Sequence, residues 1–321
     1  MIVAACQHEN RKRFGKTRKG TPRFRCKDCG KTFTESTEVL GGMRIGLSRA
    51  EQIIKMICEG MSVSATARIT ESDPHTVIDL VNYLGERCGA YMAEHVRELP
   101  VNDIQADEIW QFVFCKKATA KQWNYVGGCG DSYCFTAIDR TSKLLIAWHF
   151  GRRSEEACDA FMAKLDAATT GTFHISTDGF KSYPTKVKKH LGDRVDHGVM
   201  QKIYGKNIYN DRGGRYSPAR IIGSSRTPMH GTPYQIEQIC TSHVERMNGS
   251  IRTFVKRMGR LTYAFSKRWD NHRAALALFF MHYNYCRKHR SLKKQTPAMA
   301  HWLADHVWTV REMIEAVSSN T

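Results

Sequence analysis

The sequence predicts an α/β protein in which a mixed sheet flanked by helices follows a small basic segment and a helical segment. Three observations lead to this prediction. Residues 1–36 are short and strongly basic, and residues 37–100 repeat apolar side chains at helical spacing. From Val101 onward, β-rich runs precede a helical run, a further β run and more helices, an order typical of α/β domains.

Composition and charge indicate which kind of partner the protein binds. The 321 residues include 49 Lys and Arg against 31 Asp and Glu, a net charge of +18 that favours a nucleic-acid partner. An anionic membrane is the alternative partner, but the longest wholly apolar run, residues 274–281, is far shorter than a membrane span. The N-terminus lacks the pattern of a signal peptide, and the eleven cysteines mostly lie singly. We therefore expect a cytoplasmic protein without a disulfide framework.

The first segment, residues 1–36, has the features of a zinc ribbon. It holds ten Lys and Arg against three acids, and two thiolates spaced as Cys26 and Cys29 can bind one Zn²⁺ from a tight turn. Cys6 and His8 are the nearest candidates for the other two ligands, although Cys-x-His is shorter than the usual Cys-x₂-Cys. A segment with so little core would depend on zinc for its fold. The alternative is that Cys26 and Cys29 are reduced and bind no metal.

The second segment, residues 37–100, has six basic and nine acidic residues and a helical pattern. Apolar residues at helical spacing follow Ser48, a short pattern spans 62–69, and Pro74 opens a longer one that we extend to residue 88. A short helix, a tight turn and a longer helix are typical of a helix-turn-helix. A small dimerising or spacer bundle is the alternative.

The third segment, residues 101–300, is the predicted α/β unit. Its first half holds the predicted strands 102–114, 125–130, 133–139, 143–150 and 172–177, with a helix at 154–165 before the last of them. Residues 193–240 show few helical signals and alternate cations with aromatics, which suits a basic insertion that contacts strand backbones and splayed bases. A solvated loop is the alternative for this insertion. Later helices follow, and residues 301–321 form a helical tail.

The stretch that begins at Thr241 predicts a helix with two distinct faces. Glu245 and the residues that follow it at helical spacing share an outward face, whereas the apolar residues share a face that we expect to be buried: Val244, Met247, Ile251 and Val255. Glu245 has no second acid near it before residue 260 and lies among cations. This arrangement fits a metal-binding acid beside groups that hold a polyanion. The alternative is a solvated basic helix with an ordinary salt bridge.

Three acids could act together. Asp107 and Asp178 lie 71 residues apart, and Glu245 follows 67 residues later, so each comes from a different element. Carboxylates gathered in this way repel one another unless cations neutralise them, and hard oxygen ligands favour Mg²⁺ or Mn²⁺. Two such ions about 4 Å apart can hold the attacking and leaving oxygens of a phosphodiester. We expect Asp139 to begin a turn instead, and Glu108 to point to the opposite side of the strand from Asp107.

Several motifs resemble those of the insertion-sequence-1 family of DDE transposases. They cover nearly the whole chain and are Cys-Lys-Asp-Cys-Gly-Lys-Thr-Phe (26–33), Asp-Glu-Ile-Trp (107–110), Ser-Thr-Asp-Gly (176–179), Thr-Ser-His-Val-Glu-Arg-Met-Asn (241–248), Arg-Leu-Thr-Tyr-Ala-Phe-Ser-Lys (260–267), His-Tyr-Asn-Tyr-Cys-Arg-Lys-His (282–289) and Thr-Pro-Ala (296–298). The resemblance implies a ribonuclease-H-like catalytic domain in which Asp107, Asp178 and Glu245 form the catalytic triad. It also implies that the zinc ribbon and helix-turn-helix bind the ends of the element.

The function implied by this resemblance is that of a DNA transposase that binds terminal inverted repeats and performs metal-dependent strand cleavage and strand transfer. We expect two Mg²⁺ or Mn²⁺ ions, one structural Zn²⁺, a homo-oligomer on DNA, no membrane partner and a nucleoid-associated location. The expected DNA contacts are Arg23, Arg25, Lys27, Thr76, Arg212, Arg215, Arg220, Arg246, Asn248, Arg252 and Lys256. The alternatives are a DNA-binding regulator with an inactive transposase-like domain, and a ribonuclease-H-like nuclease without strand transfer.

Overall fold

The structure is a computed structural model that describes residues 10–16, 22–34, 39–125, 128–205, 220–231, 236–260 and 262–319. Its helices are α1 (Leu47–Cys58), α2 (Val63–Ile69), α3 (Pro74–His95), α4 (Lys117–Gln122), α5 (Glu155–Ala168), α6 (Tyr183–Leu191), α7 (Ser242–Phe254), α8 (Trp269–Tyr285), α9 (Pro297–Ala300) and α10 (Val310–Ser319). Its strands are β1 (Arg11–Lys16), β2 (Pro22–Cys26), β3 (Thr32–Thr34), β4 (Leu99–Pro100), β5 (Asp103–Val113), β6 (Gly130–Asp139), β7 (Leu145–Gly151), β8 (Thr169–Thr170), β9 (Phe173–Thr177), β10 (Val195–Tyr204) and β11 (Ile221–His230).

A six-stranded mixed sheet in the order β11-β10-β9-β5-β6-β7 organises the chain. β5 pairs parallel to β9 and antiparallel to β6, while β9 pairs parallel to β10. Helices α5 and α6 pack on one face of the sheet, and α7 and α8 pack on the other. The predicted mixed α/β class with flanking helices is thus confirmed.

Two parts of the sheet differ from the prediction. The predicted strand 125–130 is wrong in its described part: Tyr125, Gly128 and Cys129 lie in no strand, and β6 begins only at Gly130. Ala and Lys residues in 117–122 favour a helix there, and the apolar run after them is too short to pair alone. The stretch 193–240 contains two strands, since β10 extends the sheet beside β9 and turns back into β11.

The core is continuous between the helical segment and the sheet. Helix α8 is buried on nearly all sides because it lies between the sheet and the helices α3 and α10. The close approach of α3 to α8 requires Gly85, because a Cβ there would lie 2.2 Å from the carbonyl oxygen of Ala274. This contact fixes the helical segment against the sheet that carries the acids. No described helix is long and apolar enough to cross a membrane.

Helices α2 and α3 begin with the caps that their sequences offer. Ser62 Oγ accepts from the Ala65 N–H at 3.1 Å, and Asp73 Oδ1 accepts from the His75 N–H at 2.7 Å. Helix α3 continues seven residues beyond the predicted end at residue 88, because Met92 still packs in the core. Thr76 lies half-buried in the first turn of α3. A DNA-reading role for these helices stays a prediction.

The N-terminal strands form a separate antiparallel sheet, β1-β2-β3. Its outer strand β1 is exposed throughout, whereas Cys26 at the end of β2 is buried. The turn after Cys26 is tight: the Gly30 N–H donates to the Cys26 carbonyl at 3.1 Å, with Gly30 at a φ of +73°. Cys29 lies exposed in this turn. Cys6 and His8 lie outside the described residues, so the zinc ribbon stays a prediction.

Candidate active site

A cleft of about 790 Å³ opens where β5 runs past the end of β9. The two strands pair up to Ala106 and Thr177, so Asp107 is the first residue of β5 beyond that pairing. Side chains of β5, of the turn after β9, of β10 and of α7 line the cleft. The edge of β5 is therefore open at the position of the first predicted acid.

Three carboxylates meet in this cleft, and we call Asp107, Glu108 and Asp178 the acid cluster. One oxygen of each lies within 4.8 Å of an oxygen of the other two. Glu108 points to the opposite side of the strand from Asp107, as predicted: Glu108 bonds to Tyr183 on α6 and Asp107 to Asn248 on α7, helices that pack on opposite faces of the sheet. Although alternate residues leave a strand on opposite faces, the missing neighbour at the end of β9 lets both side chains reach Asp178 around the open edge.

Asp107 is held by α7 and by its own backbone. Its Oδ2 accepts from Asn248 Nδ2 at 2.9 Å, and its Oδ1 accepts from the Glu108 N–H at 2.8 Å. Burial, together with the charges of Asp178 and Glu108, raises the pKa of Asp107 to about 8. The Asn248 Oδ1 atom is buried and has no hydrogen-bond partner among the described residues.

Glu108 and Asp178 share one cation. Arg153 Nε lies 2.6 Å from Glu108 Oε1, and Arg153 Nη2 lies 3.7 Å from Asp178 Oδ2. The buried Tyr183 hydroxyl donates to Glu108 Oε2 at 3.0 Å. Burial and the charge of Asp178 raise the pKa of Glu108 to about 7 despite Arg153. Burial also raises the pKa of Asp178, against the opposing effect of the Phe180 N–H that donates to it.

Glu245 lies in the same cleft but outside the acid cluster. Its Oε2 is 2.5 Å from Lys202 Nζ on β10, and its Oε1 accepts from the Thr241 hydroxyl at 2.7 Å. Thr241 occupies the N-cap position of α7, yet its hydroxyl serves Glu245 and caps no backbone N–H. The buried face of α7 is confirmed at Val244, Met247, Ile251 and Val255.

The other residues in and just after α7 that were predicted to contact DNA differ in their exposure and in their hydrogen bonds. Arg252 lines the cleft but donates to the carbonyls of Trp110 at 3.1 Å and Met258 at 3.0 Å, so it braces the wall of the cleft. Arg246 is exposed on α7, and Lys256 is exposed just after it. Asn248 bonds directly to the acid cluster.

The described members of the remaining predicted contacts are not among the residues that line the cleft. Arg220 is exposed just before β11, whereas Arg212 and Arg215 lie outside the described residues. On the small sheet, Arg25 and Lys27 are exposed, and Arg23 donates to Thr32 Oγ1 at 3.1 Å.

Asp139 begins a turn, as predicted. Its Oδ2 accepts from the N–H and the hydroxyl of Ser142, both at 2.6 Å. It therefore contributes nothing to the acid cluster.

Four groups that line or support the cleft were not predicted from the sequence: Glu108, Arg153, Tyr183 and Lys202. Arg153 had a detectable signal, since Arg152 and Arg153 directly follow a β run and precede a capped helix. Lys202 was one of many cations in a stretch without strong pattern. Nothing in the sequence shows that Tyr183 reaches Glu108.

The donor set of the acid cluster fits a divalent metal. Carboxylate oxygens are the ligands that Mg²⁺ and Mn²⁺ prefer, and the pKa values of Asp107 and Glu108 stay raised by burial and mutual repulsion although Arg153 lies beside Glu108. A cation at this position would bring the three acids to their ionised form. The orphaned Asn248 Oδ1 adds a neutral oxygen close by.

Comparison with known proteins agrees with the resemblance seen in the motifs. Residues 107–214 match the sequence model of the IS1 transposase family, and this stretch includes the whole acid cluster. The match covers 108 of the 321 residues, confirms the resemblance there and supports a transposase. No curated protein matches the chain. A cryo-EM structure of a piggyBac transposase synaptic complex with hairpin DNA is similar at 9% identity and a TM-score of 0.33, over 85% of this chain and 70% of that chain. That likeness is too distant to carry an argument.

Proposed function

We propose that this chain is a DNA transposase that binds the terminal inverted repeats of its element and performs metal-dependent strand cleavage and strand transfer. The observation that carries the proposal is the acid cluster: Asp107, Glu108 and Asp178 converge in one cleft, within the stretch that matches the IS1 transposases. Their raised pKa values fit a site that functions with a cation.

The strand order supports a ribonuclease-H-like catalytic domain. In chain order, the first three strands of the large sheet form a meander, and the next two lie on the other side of the first strand. Among these five strands, β6 alone runs antiparallel to β5. We infer that residues 101–300 form this catalytic domain, with the β10–β11 hairpin as its basic insertion and residues 301–321 as a tail.

Asp107, Asp178 and a third acid would hold the metal. Glu245 is the proposed third member of the triad: it pairs with Lys202 in this structure, and we propose that it turns to the metal ion when that ion binds. Glu108 is already in the cluster and is a second candidate. When bound, two Mg²⁺ or Mn²⁺ ions supply the positive charge that the attacking and leaving oxygens of the phosphodiester need.

The protein's own groups position the acids and the DNA. Asn248 orients Asp107, Tyr183 orients Glu108, and Arg153 screens the repulsion between Glu108 and Asp178. Arg246 on α7 and Lys256 just after it are exposed, and in this proposal they contact phosphates. Water attacks the phosphodiester first, and the freed 3′-hydroxyl then attacks the target DNA, so the chain's main contribution is alignment.

In this proposal, the N-terminal segments recognise the ends of the element. Residues 1–36 would form a zinc ribbon on Cys6, His8, Cys26 and Cys29, and residues 37–100 a helix-turn-helix or dimerising domain. Thr76 and the basic residues of β2 would contact the ends, and the protein would act as a homo-oligomer on DNA.

A joining assay tests the proposal. Purified protein is incubated with labelled element ends, target DNA and Mg²⁺, and we expect both cleaved ends and joined products. Glu245→Gln should still bind the ends but cut and join at least about a hundredfold more slowly, the effect of losing one electrostatic stabiliser. Cleavage without joining would instead indicate a nuclease. Binding without either reaction would indicate a regulator.

A further inference from the structure

Beyond the acid cluster, β5 leads to a group of aromatic rings, of which Phe114 and Tyr125 are exposed and the others half-buried. Trp110 lines the same cleft as Asp107. Phe112 lies two residues further on the same face of the strand, with its ring centroid 6.0 Å from that of Trp110. Phe114 follows directly after the strand, and 42% of its surface is exposed. An aromatic path therefore leaves the cleft along one strand.

Phe114 is exposed at a cost in backbone strain. Its φ is +66°, a left-handed conformation that bulky side chains rarely adopt. A hydrogen bond from the Phe114 N–H to the Ser266 carbonyl at 2.8 Å holds it there. The strain does not serve core packing, because the ring points to solvent. Conformations of this kind concentrate where a side chain serves a function.

Two further rings and two lysines complete the surface. Tyr125, 49% exposed, meets Phe114 edge to face at 5.3 Å. Lys267 Nζ lies 3.5 Å from the centroid of Phe265 and 5.9 Å from that of Phe114. Lys116 Nζ lies 5.8 Å from the centroid of Trp110. We name this surface the aromatic ledge, defined by Trp110, Phe114, Lys116, Tyr125, Phe265 and Lys267.

The charge of the aromatic ledge suits a polyanion. In the described part of the chain, neither Lys116 nor Lys267 forms an ion pair, and each instead covers an aromatic ring. The acid across from Phe112 on the neighbouring strand is Asp131, which accepts the Lys117 N–H at 2.9 Å at the start of α4. Exposed rings beside unpaired cations are the pattern by which proteins hold unpaired bases and their phosphates.

We propose that the aromatic ledge binds a single strand of DNA adjoining the cut site, with unpaired bases stacked on Phe114 and Tyr125 and phosphates contacted by Lys116 and Lys267. This inference rests on the proposed function, because Trp110 joins the ledge to the cleft that would hold the phosphodiester. Duplex DNA does not fit the same surface, since its bases are already stacked on each other. The ledge would keep the strand beside the cut separated from its complement.

The test is binding of fluorescent oligothymidylate to the full-length protein in EDTA, with a blunt duplex in parallel. Phe114→Leu with Tyr125→Leu should weaken single-strand binding about tenfold or more, as expected for two lost stacking contacts. Duplex binding should change less than about twofold. Lys116→Gln with Lys267→Gln should lower the salt slope of single-strand binding by about 0.7 for each lysine that contacts a phosphate.

Trp302→Leu is the matched control, because this ring is 88% exposed but lies just after α9, away from the ledge. It should leave single-strand binding unchanged. Equal losses on single strand and duplex, or unchanged single-strand binding in the doubly substituted protein, would overturn the proposal. Thermal unfolding checks that each variant is folded.

A second measurement needs no variant. Photocrosslinking of wild-type protein to a strand that carries iodouracil should attach it to the peptide containing Phe114 or Tyr125, and crosslinks confined to other peptides would contradict the ledge. Both experiments omit Mg²⁺, so they stand apart from catalysis. If the wild-type protein cleaves and joins DNA but the ledge variants bind single strands as it does, only the inference about the ledge fails. If single-strand binding depends on the ledge but the protein never cleaves DNA, only the proposed reaction fails.

Discussion

We propose that the two sheets of this chain bind metal ions for opposite reasons. The small sheet β1-β2-β3 is mostly exposed where its burial is described, so a metal at Cys26 and Cys29 would supply the stability that apolar burial does not. The large sheet is buried by helices on both faces, so we expect it to fold without metal. Its acid cluster nevertheless repels itself, so there a cation compensates for a feature that destabilises the fold.

In this proposal, the metal at the small sheet stabilises the fold, whereas the metal at the acid cluster takes part in the reaction. Loss of the first should unfold a local region and abolish recognition. Loss of the second should leave the protein folded, although with a lower Tm, and abolish the reaction.

The largest effect is expected at the small sheet. Cys29→Ser should remove the zinc and reduce end-specific binding about a thousandfold, towards the level of non-specific binding. Metal analysis of purified protein should find about one Zn²⁺ per chain in the wild type and none in the variant. Cys158→Ala, in the buried face of α5, should keep the zinc. A metal-free wild type that still binds its ends specifically would refute this side of the comparison.

At the large sheet, Asp107→Asn should separate chemistry from folding. Cleavage and joining in Mg²⁺ should fall at least about a hundredfold. The thermal stability of the metal-free protein should not fall, and near pH 8 it should rise by about 1 kcal/mol, because a buried repulsive charge is removed. Asp305→Asn, at an exposed acid before α10, is the control and should change neither quantity. Near wild-type cleavage by folded Asp107→Asn would contradict the role of the cluster.

Stability should respond to pH through the same acids. The pKa of Asp107 is raised to about 8 and that of Glu108 to about 7, so the folded protein retains protons that the unfolded chain releases above about pH 4. Stability without metal therefore falls as pH rises through this window. Because Mg²⁺ competes with these protons, its effect on Tm should grow with pH.

Thermal scans with and without Mg²⁺ measure this effect. The rise in Tm should be about 2–4 °C larger at about pH 8 than at about pH 6.5, the shift that about 1 kcal/mol produces in a domain of this length. In Asp107→Asn the pH dependence of the rise should be much reduced. A rise that is equal at both pH values in the wild type would count against protons on the cluster.

The smallest effect is expected at the β10–β11 hairpin, which extends the large sheet outward. Replacing Arg212, Arg215 and Arg220 by Ala should lower the salt slope of DNA binding by about 0.9 for each arginine that contacts a phosphate. Affinity should fall about equally for all sequences. Arg273→Ala, whose guanidinium pairs with Asp270 on α8, is the control. An unchanged slope in the triple variant would make this stretch a solvated loop.

How far the sequence predicts the structure depends on whether a feature is local. The two faces of α7 follow from helical spacing alone, and Asp178 follows from its place at the end of a strand. The place of Glu108 in the acid cluster was not predicted, because the alternation of a strand gives the face of a residue but not the point at which its neighbouring strand stops. The pairs Arg153 with Glu108 and Lys202 with Glu245 join distant segments, which single-sequence patterns do not reveal.

The most direct test of the central claim is a calorimetric titration of Mn²⁺ into zinc-loaded protein near pH 7. Titrations in buffers of different ionisation enthalpy also give the number of protons released. We expect wild-type protein to bind Mn²⁺ with net proton release, since Asp107 and Glu108 must ionise. In Asp107→Asn, affinity should fall at least about tenfold and proton release should decrease. If folded Asp107→Asn bound Mn²⁺ as the wild type does, the acid cluster would not be the metal site.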